Sequence, residues 1–385
     1  MLAIIGGTIY PVEAPVLNPG VILIENGQIV DIYAGNEVPA QAEVWSAEGL
    51  LIFPGFIDAH CHVGIAEEIY TNEGDDSNEM TDPCTPLLRV IDGIQPEDLA
   101  FEDALAGGVT TLAIAPGSGN VLGGQMAALK TWGHTLEERL VQSPLGIKAA
   151  LGENPKVVYG RNKKFPSTRM ASAAVLRKAL VKAEDYGLCK QEALSNQNSF
   201  ERDLNSEALL PVLEGRLPLR VHAHRADDIL TAVRIAEEFK LKIVIEHGTE
   251  AYKVASILAE HQIPVVVGPI ITNRAKVEMM NICLENARLL SEAGVKIAFM
   301  TDHPVVPIQY LALSAGLTVR GGLSEDQALE AITLGAARIL GLDRQIGSLT
   351  KGKEADLSIW SGHPFDSRSR IKAVMVKGKM LEYGN

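Results

Sequence analysis

Residues 53–62 read Phe53-Pro54-Gly55-Phe56-Ile57-Asp58-Ala59-His60-Cys61-His62. An apolar run of buried-strand length ends in one carboxylate and two imidazoles. Side chains alternate along a strand, so Asp58, His60 and His62 are expected on one face. A His-x-His pair by itself is a weak signal. The chain repeats it: His222 and His224 follow a strand at 218–221, His247 follows one at 243–245, and Asp302 follows one at 296–300. Core histidines satisfied by ordinary hydrogen bonds do not explain strand-end positions that recur in this way.

Working outward, the middle of the chain yields buried-type strands at 53–58, 110–115, 127–131, 147–151, 218–221, 243–245, 265–267 and 296–300. Helical periodicity falls between most of them. In 228–240, Ile229, Val233, Ala236 and Phe239 share a face; 251–260 and 275–293 read as helices; Ser324 with Gln327 forms a capping box for a helix running to about residue 340. Strands alternating with helices over roughly 290 residues predict an α/β fold, a (β/α)8 TIM-like barrel. A doubly wound sheet would favour a glycine-rich nucleotide loop after its first strand, and none follows residue 58. In a barrel the C-terminal strand ends converge on one mouth, which gathers the histidines and Asp302.

Both ends of the chain read differently. Residues 21–25 and 28–33 flank Asn26-Gly27, a strong hairpin signal, and 356–360 and 373–376 are strand-like, with a turn at Lys377-Gly378-Lys379. Residues 1–52 and 345–385 are therefore expected to pair into one small composite β domain, a β-sandwich, beside a barrel of residues 53–344.

The 48 acidic against 35 basic residues give a net charge of -13, which speaks against a general nucleic-acid binder. No apolar run is long enough to span a membrane, and the N-terminus has no basic segment followed by a long apolar core. Cys61, Cys84, Cys189 and Cys283 are far apart and form no disulfide framework, so a reducing, cytoplasmic setting is expected. Cys61, between two oppositely facing neighbours, is expected in the packing.

The stretch Pro54–His62, the later single histidines, Asp302, and the tail Gly347-Ser348-Leu349, Gly352-Lys353, Ala355-Asp356-Leu357 together resemble the metal-dependent amidohydrolase superfamily. The flavour is similar to imidazolonepropionases and metal-dependent dipeptidases, and the likeness runs over nearly the whole chain. It implies one or two divalent ions at the barrel mouth, zinc first, with manganese, cobalt or iron as alternatives. By the same resemblance His60 and His62 match the first-strand ligands, His222 the strand-five ligand, His247 the strand-six ligand and Asp302 the strand-eight aspartate. Many relatives carry a carboxylated lysine on the fourth strand. Here Lys148 lies about five residues, roughly 16 Å, before the mouth end of its strand, while Glu153 sits at the mouth. Glu153 is favoured as the ligand; Lys148, no fourth-strand ligand at all, and Lys130 near the third strand's end stay open.

A divalent ion brings the pKa of a bound water from 15.7 towards about 7. Asp302 is expected to take that proton and pass it to the leaving nitrogen. His224 and Arg225 stand where substrate or an oxyanion would bind, although Arg225 has Asp227 and Asp228 beside it as rim partners. Asn120 and Gln125, in the glycine-rich stretch 117–125, are candidate substrate hydrogen-bonders. The loop 64–88 carries seven carboxylates and no lysine or arginine before Arg89; most are expected in solvent, with one or two left to select a cationic group. His303 and Glu246 are expected to turn away from the site.

The reading is a hydrolase of a carbon–nitrogen bond in a small cyclic amide or peptide-like substrate. A heterocycle deaminase is the alternative, weakened because His224-Arg225 stands where such enzymes carry a glutamate. A catalytically silent scaffold is weaker still, since the ligand residues are present. The expected partner is a small molecule, not nucleic acid or membrane, and a homo-oligomer is compatible with the sequence.

Overall fold

The computed structural model describes residues 1–69 and 72–383. Residues 70 and 71, inside the acidic loop, lie outside the described residues. The first strands are β1 (Leu2–Ile9), β2 (Leu17–Glu25), β3 (Gln28–Ala34), β4 (Glu43–Ser46) and β5 (Leu51–Pro54). The middle supplies β6 (Phe56–Cys61), β7 (Val109–Ile114), β8 (Leu122–Lys130), β9 (Leu140–Ala150), β10 (Leu219–Ala223), β11 (Ile243–His247), β12 (Val265–Val267) and β13 (Ile297–Phe299). The chain ends in β14 (Leu357–Trp360), β15 (Ile371–Val376) and β16 (Lys379–Glu382).

Strands from the two ends share one sheet, in the order β16-β15-β14-β5-β1-β2-β3, with β4 beside β1. Both expected tight turns are present: Asn26 and Gly27 have φ of 51° and 78°, and Lys377 and Gly378 have 47° and 78°. The two turns meet, so closely that a Cβ on Gly27 would lie 2.7 Å from the Lys377 carbonyl oxygen. Glycine is thus required there by conformation and by space.

The middle strands form a nearly closed eight-stranded barrel sheet, β6 through β13 in sequential order. Its interior packs Ile57, Ala59, Ala113, Met126, Ala128, Val244 and Ala298, while a larger apolar layer lies between strands and helices. One strand departs from the expected all-parallel barrel: β8 runs antiparallel to both β7 and β9. Only residues 115–121 join β7 to β8, too short a link for the helical crossover that a parallel pair needs. The reversal puts Lys130 opposite Thr111, at the barrel floor, and Leu122 opposite Ala149, at the mouth.

The seam between β6 and β13 is bridged by Asp58, whose carboxylate accepts from Thr301 N (3.1 Å), Thr301 Oγ1 (2.5 Å) and His60 N (3.1 Å). Burial pushes this carboxyl up to about 7 against those bonds. Asp58 is therefore a seam latch and does not share the inward face of the histidines.

Helices differ from expectation in four places, the first being 251–260, a 3-10 turn, Ala251–Val254, followed by a helix, Ala255–Glu260. Residues 275–293 are not one helix but a 3-10 turn, Val277–Met279, and a helix, Asn286–Glu292. Tertiary bonds replace helical ones there: the Arg274 side chain donates to the Met280 carbonyl and Asn281 to Glu250. The Ser324 capping box forms, but its helix, Glu325–Ala331, is followed by a separate one, Leu334–Leu340. A 27-residue helix, Arg169–Ser195, opens on Thr168, whose side chain accepts from Ala171 N. No helix among the described residues is long and apolar enough to cross a membrane.

Candidate metal centre

Three local irregularities turn side chains into the barrel mouth. In β6, Asp58 faces Leu112 and Cys61 faces Ile114, so β6 holds one residue more than β7 over this interval. Such a bulge reverses the alternation. Ile57 and Ala59 face inward below it, His60 and His62 face inward above it, and Cys61 packs into the outer layer. In β11, His247 has φ of 70°, and beyond β13 Asp302 has φ of 56°. A left-handed backbone at a residue other than glycine costs about 1–3 kcal/mol and tends to persist where function needs it. At His247 it brings two consecutive side chains, Glu246 and His247, to the interior. β10 needs no such device: Val221 and Ala223 pack outward, leaving Arg220, His222 and His224 inward.

Two groups of donor atoms result, each with its atoms within 4.8 Å of one another: His60, His62 and Asp302, and His222, His224 and His247. His62 Nε2 lies 3.3 Å and His60 Nε2 3.6 Å from Asp302 Oδ1. The groups adjoin, the His60 and His247 ring centroids being 5.6 Å apart.

Most of these rings are fixed through Nδ1, leaving Nε2 for a ligand. His62 Nδ1 donates to the Ala115 carbonyl at 2.7 Å and His247 Nδ1 to the Gly268 carbonyl at 3.0 Å. His224 Nδ1 is 2.7 Å from Thr249 Oγ1. His60 Nδ1 lies 3.2 Å from Glu246 Oε2, off the line for a hydrogen bond, so that contact is electrostatic. Fixing one ring nitrogen on a carbonyl or carboxylate sets tautomer and orientation for the other, as in metal-binding histidines. Glu246, expected to face outward, is instead buried in an ion pair with Arg220 beneath His60.

Electrostatics point the same way. Burial, with the nearby positive charge of Lys148, holds His60 and His222 well below the ordinary imidazole value; burial and neighbouring histidines do so for His247, and burial lowers His224 to about 3. Their lone pairs are free at neutral pH. Burial pushes the Asp302 carboxyl up, but the adjoining His62 and the positive charge of Lys148 outweigh it and hold it down. Neutral imidazoles with an ionised carboxylate suit a borderline divalent ion such as zinc.

The fourth-strand expectation shifts. Lys148 Nζ reaches within 3.2 Å of His60 Nε2, and burial lowers its ammonium to about 8. Glu153 opens the helix Glu153–Arg161 and belongs to neither donor group; its backbone N–H donates to Glu278. The expected distance of roughly 16 Å does not apply, because β9 ends at Ala150, two residues or about 7 Å past Lys148, and the Lys148 side chain faces inward there.

Four other candidates are placed elsewhere. Lys130 is buried at the floor in ion pairs with Asp356 and Glu354. Arg225 pairs with Asp227 on the rim, two bonds of 2.9 Å. Gln125 alternates with Met126, which faces the interior, and so points away from it. Asn120 is buried, its amide donating to Thr85 Oγ1 (2.8 Å) and accepting from the Tyr159 hydroxyl (2.5 Å), so it pins loops together. Several acidic-loop carboxylates cap their own backbone, as Glu79 does for Thr81 and Asp82 for Cys84. His303 is fully buried with Glu68 at 3.8 Å.

Residues 51–381 match the amidohydrolase family. The crystal structure of an amidohydrolase from Thermotoga maritima MSB8 is 44% identical, covers 99% of each chain and superposes with a TM-score of 0.97. The amidohydrolase tasK of Hapsidospora irregularis is 29% identical over 93% of this chain, which spans 39% of that longer protein. The imidazolonepropionase of Rhizobium meliloti (strain 1021) is 27% identical over 90% of this chain and 86% of its own length.

Proposed function

Because the chain belongs to the amidohydrolase family and is a hydrolase, we propose that it cleaves a carbon–nitrogen bond in a small cyclic amide or peptide-like substrate at a divalent metal centre. The observation that carries this is the pair of donor groups at one barrel mouth, with Nε2 of His62, His247 and His224 left free by anchored Nδ1 atoms. His60, His62 and Asp302 hold one ion and His222 and His247 contribute to a second, zinc being the first choice. Lys148, carboxylated as in many relatives, replaces Glu153 as the fourth-strand ligand.

When bound, a divalent ion would supply a water of pKa about 7 and would polarise the scissile carbonyl. Asp302, its carboxylate beside His60 and His62, would hold the proton taken from the attacking water and give it to the leaving nitrogen. Glu246 keeps His60 turned towards the site, and Thr249 does the same for His224. Residues 1–52 and 345–385 form the small β domain of this enzyme and 53–344 its catalytic barrel. The meeting of the Gly27 and Lys377 turns, and a shared apolar cluster from Ile4, Ile22, Ile29, Leu357 and Met375, support a terminal sheet folded into a sandwich. Free thiols at Cys61, Cys84, Cys189 and Cys283 support a cytoplasmic setting.

The test is a screen of metal-loaded protein against dipeptides, N-acyl amino acids and cyclic amides, with heterocyclic amines alongside. Amine release or ring opening in the first three classes is expected. Ammonia release from heterocycles alone would replace the proposal with a deaminase, and no turnover of any class would leave the scaffold.

A further inference from the structure

Resting on the metal-hydrolase reading above, we infer that the second ion is held by four side chains of this chain, His222, His224, His247 and Glu278, without need of Lys148. Glu278 is on the 3-10 turn Val277–Met279 and is 1% exposed. Its Oε2 accepts from the Glu153 backbone N–H at 3.0 Å. Its Oε1 has no hydrogen-bond partner among the described residues and faces Nε2 of His224 at 3.7 Å and of His222 at 3.9 Å. A carboxylate oxygen buried without a hydrogen bond is costly, and a cation between it and two imidazoles removes the cost.

The spacing suits such an ion. Four ligands in a tetrahedron at metal distances of about 2.0–2.2 Å stand about 3.4 Å from one another. The two Glu278 separations, 3.7 and 3.9 Å, exceed that by only a few tenths of an ångström, and the three imidazole donor atoms lie within 4.8 Å of one another. Gly152, with φ of 89°, leaves room for two carboxylates: a Cβ there would sit 3.0 Å from both Glu278 Oε2 and Asp228 Oδ2. Lys276 Nζ is 3.9 Å from Oε1, but its hydrogen bond goes to Asn154 Oδ1 at 2.8 Å. Lys148 Nζ, by contrast, approaches His60, in the other donor group.

The assignment divides the centre. Three imidazoles and a carboxylate fill four positions, the closed shell of a firmly held ion. The other ion, held by His60, His62 and Asp302 with Lys148 beside them, would be the one at which water and substrate meet.

The test uses the full chain, stripped with chelator and titrated with Zn2+ against a competing indicator, with bound metal counted by mass spectrometry. Wild type is expected to take two ions per chain. Glu278→Gln and His224→Asn should each weaken one ion tenfold or more, and Lys148→Ala should keep that same ion. X-ray absorption on wild type loaded with one zinc should show about three nitrogen and one oxygen neighbours with histidine scattering, a readout that stands even if a variant fails to fold. Wild-type stoichiometry and affinity in both Glu278→Gln and His224→Asn would overturn the inference while leaving the metal reading intact. So would loss of both ions in Lys148→Ala, which is what a lysine bridge requires. A wild-type chain that takes no ion would remove the metal reading and this inference together.

Discussion

Glu246 offers a quantitative test, because one side chain serves both the fold and the centre. It is fully buried, paired with the buried Arg220, and 3.2 Å from His60 Nδ1. Arg220 also donates to the Ala59 carbonyl at 2.9 Å, so its remaining charge compensation comes from Glu246. Breaking a buried pair from one side costs about 3–5 kcal/mol, since the other charge stays in the interior. Glu246→Gln keeps the shape and one acceptor, so the lower end, about 3 kcal/mol, is expected in urea unfolding of chelated protein. Losing the group that orients His60 should also weaken metal binding about 10–100-fold. The double variant Arg220→Met/Glu246→Leu separates the effects: with no charge left unpaired, stability should return to within about 1 kcal/mol of wild type. Metal affinity should remain weakened, because His60 still lacks its partner. A Glu246→Gln protein within about 1 kcal/mol of wild type and with unchanged metal affinity would refute the reasoning.

Asp302→Asn should retain most of the metal but lose about 10²–10⁴-fold in hydrolysis, the usual worth of a positioned proton-transfer group; near-normal turnover would remove that role. Lys148→Ala should weaken the ion at His60, His62 and Asp302 tenfold or more, whereas Glu153→Ala should leave it unchanged; the reverse pattern in a metal titration would return the fourth-strand role to Glu153. Chelated protein should lose stability as pH falls below about 6.5. His60, His222 and His247 are held well below that value, and His224 and His303 are lowered to about 3 and 4. The unfolded chain therefore binds protons that the folded one refuses, and each such histidine contributes up to about 1.4 kcal/mol per pH unit. A thermal midpoint that stays flat from pH 7 to pH 5 would contradict this.

What the sequence made legible, and what it hid, follows from how local each signal is. His60, His62, His222, His247 and Asp302 end apolar strands, and strand ends converge in a barrel whatever the details. The hairpin at Asn26-Gly27 and the turn at Lys377-Gly378 were legible because the left-handed conformation there is written in the residue types. Facing was not legible wherever alternation breaks. The extra residue in β6 moves Asp58 to the seam, and the φ of 70° at His247 turns that ring inward beside Glu246. Periodicity carries neither event. Lys130 and Gln125 were misplaced because the direction of β8 depends on a link too short for a helix. Lys148 looks remote only if its strand runs on to residue 153; β9 ends at Ala150 and a helix starts at Glu153. Glu278 had no usable signal, since residues 275–293 look helical until Asn281 and Arg274 find tertiary partners.

Hydrolysis at the barrel mouth is proposed to depend on a divalent ion. The most direct test is metal analysis of protein purified without chelator, coupled to hydrolysis of whichever amide the substrate screen identifies. One or two divalent ions per chain are expected, with activity lost on chelation and restored by added zinc, manganese or cobalt. Full turnover by protein shown to hold no metal would contradict the account.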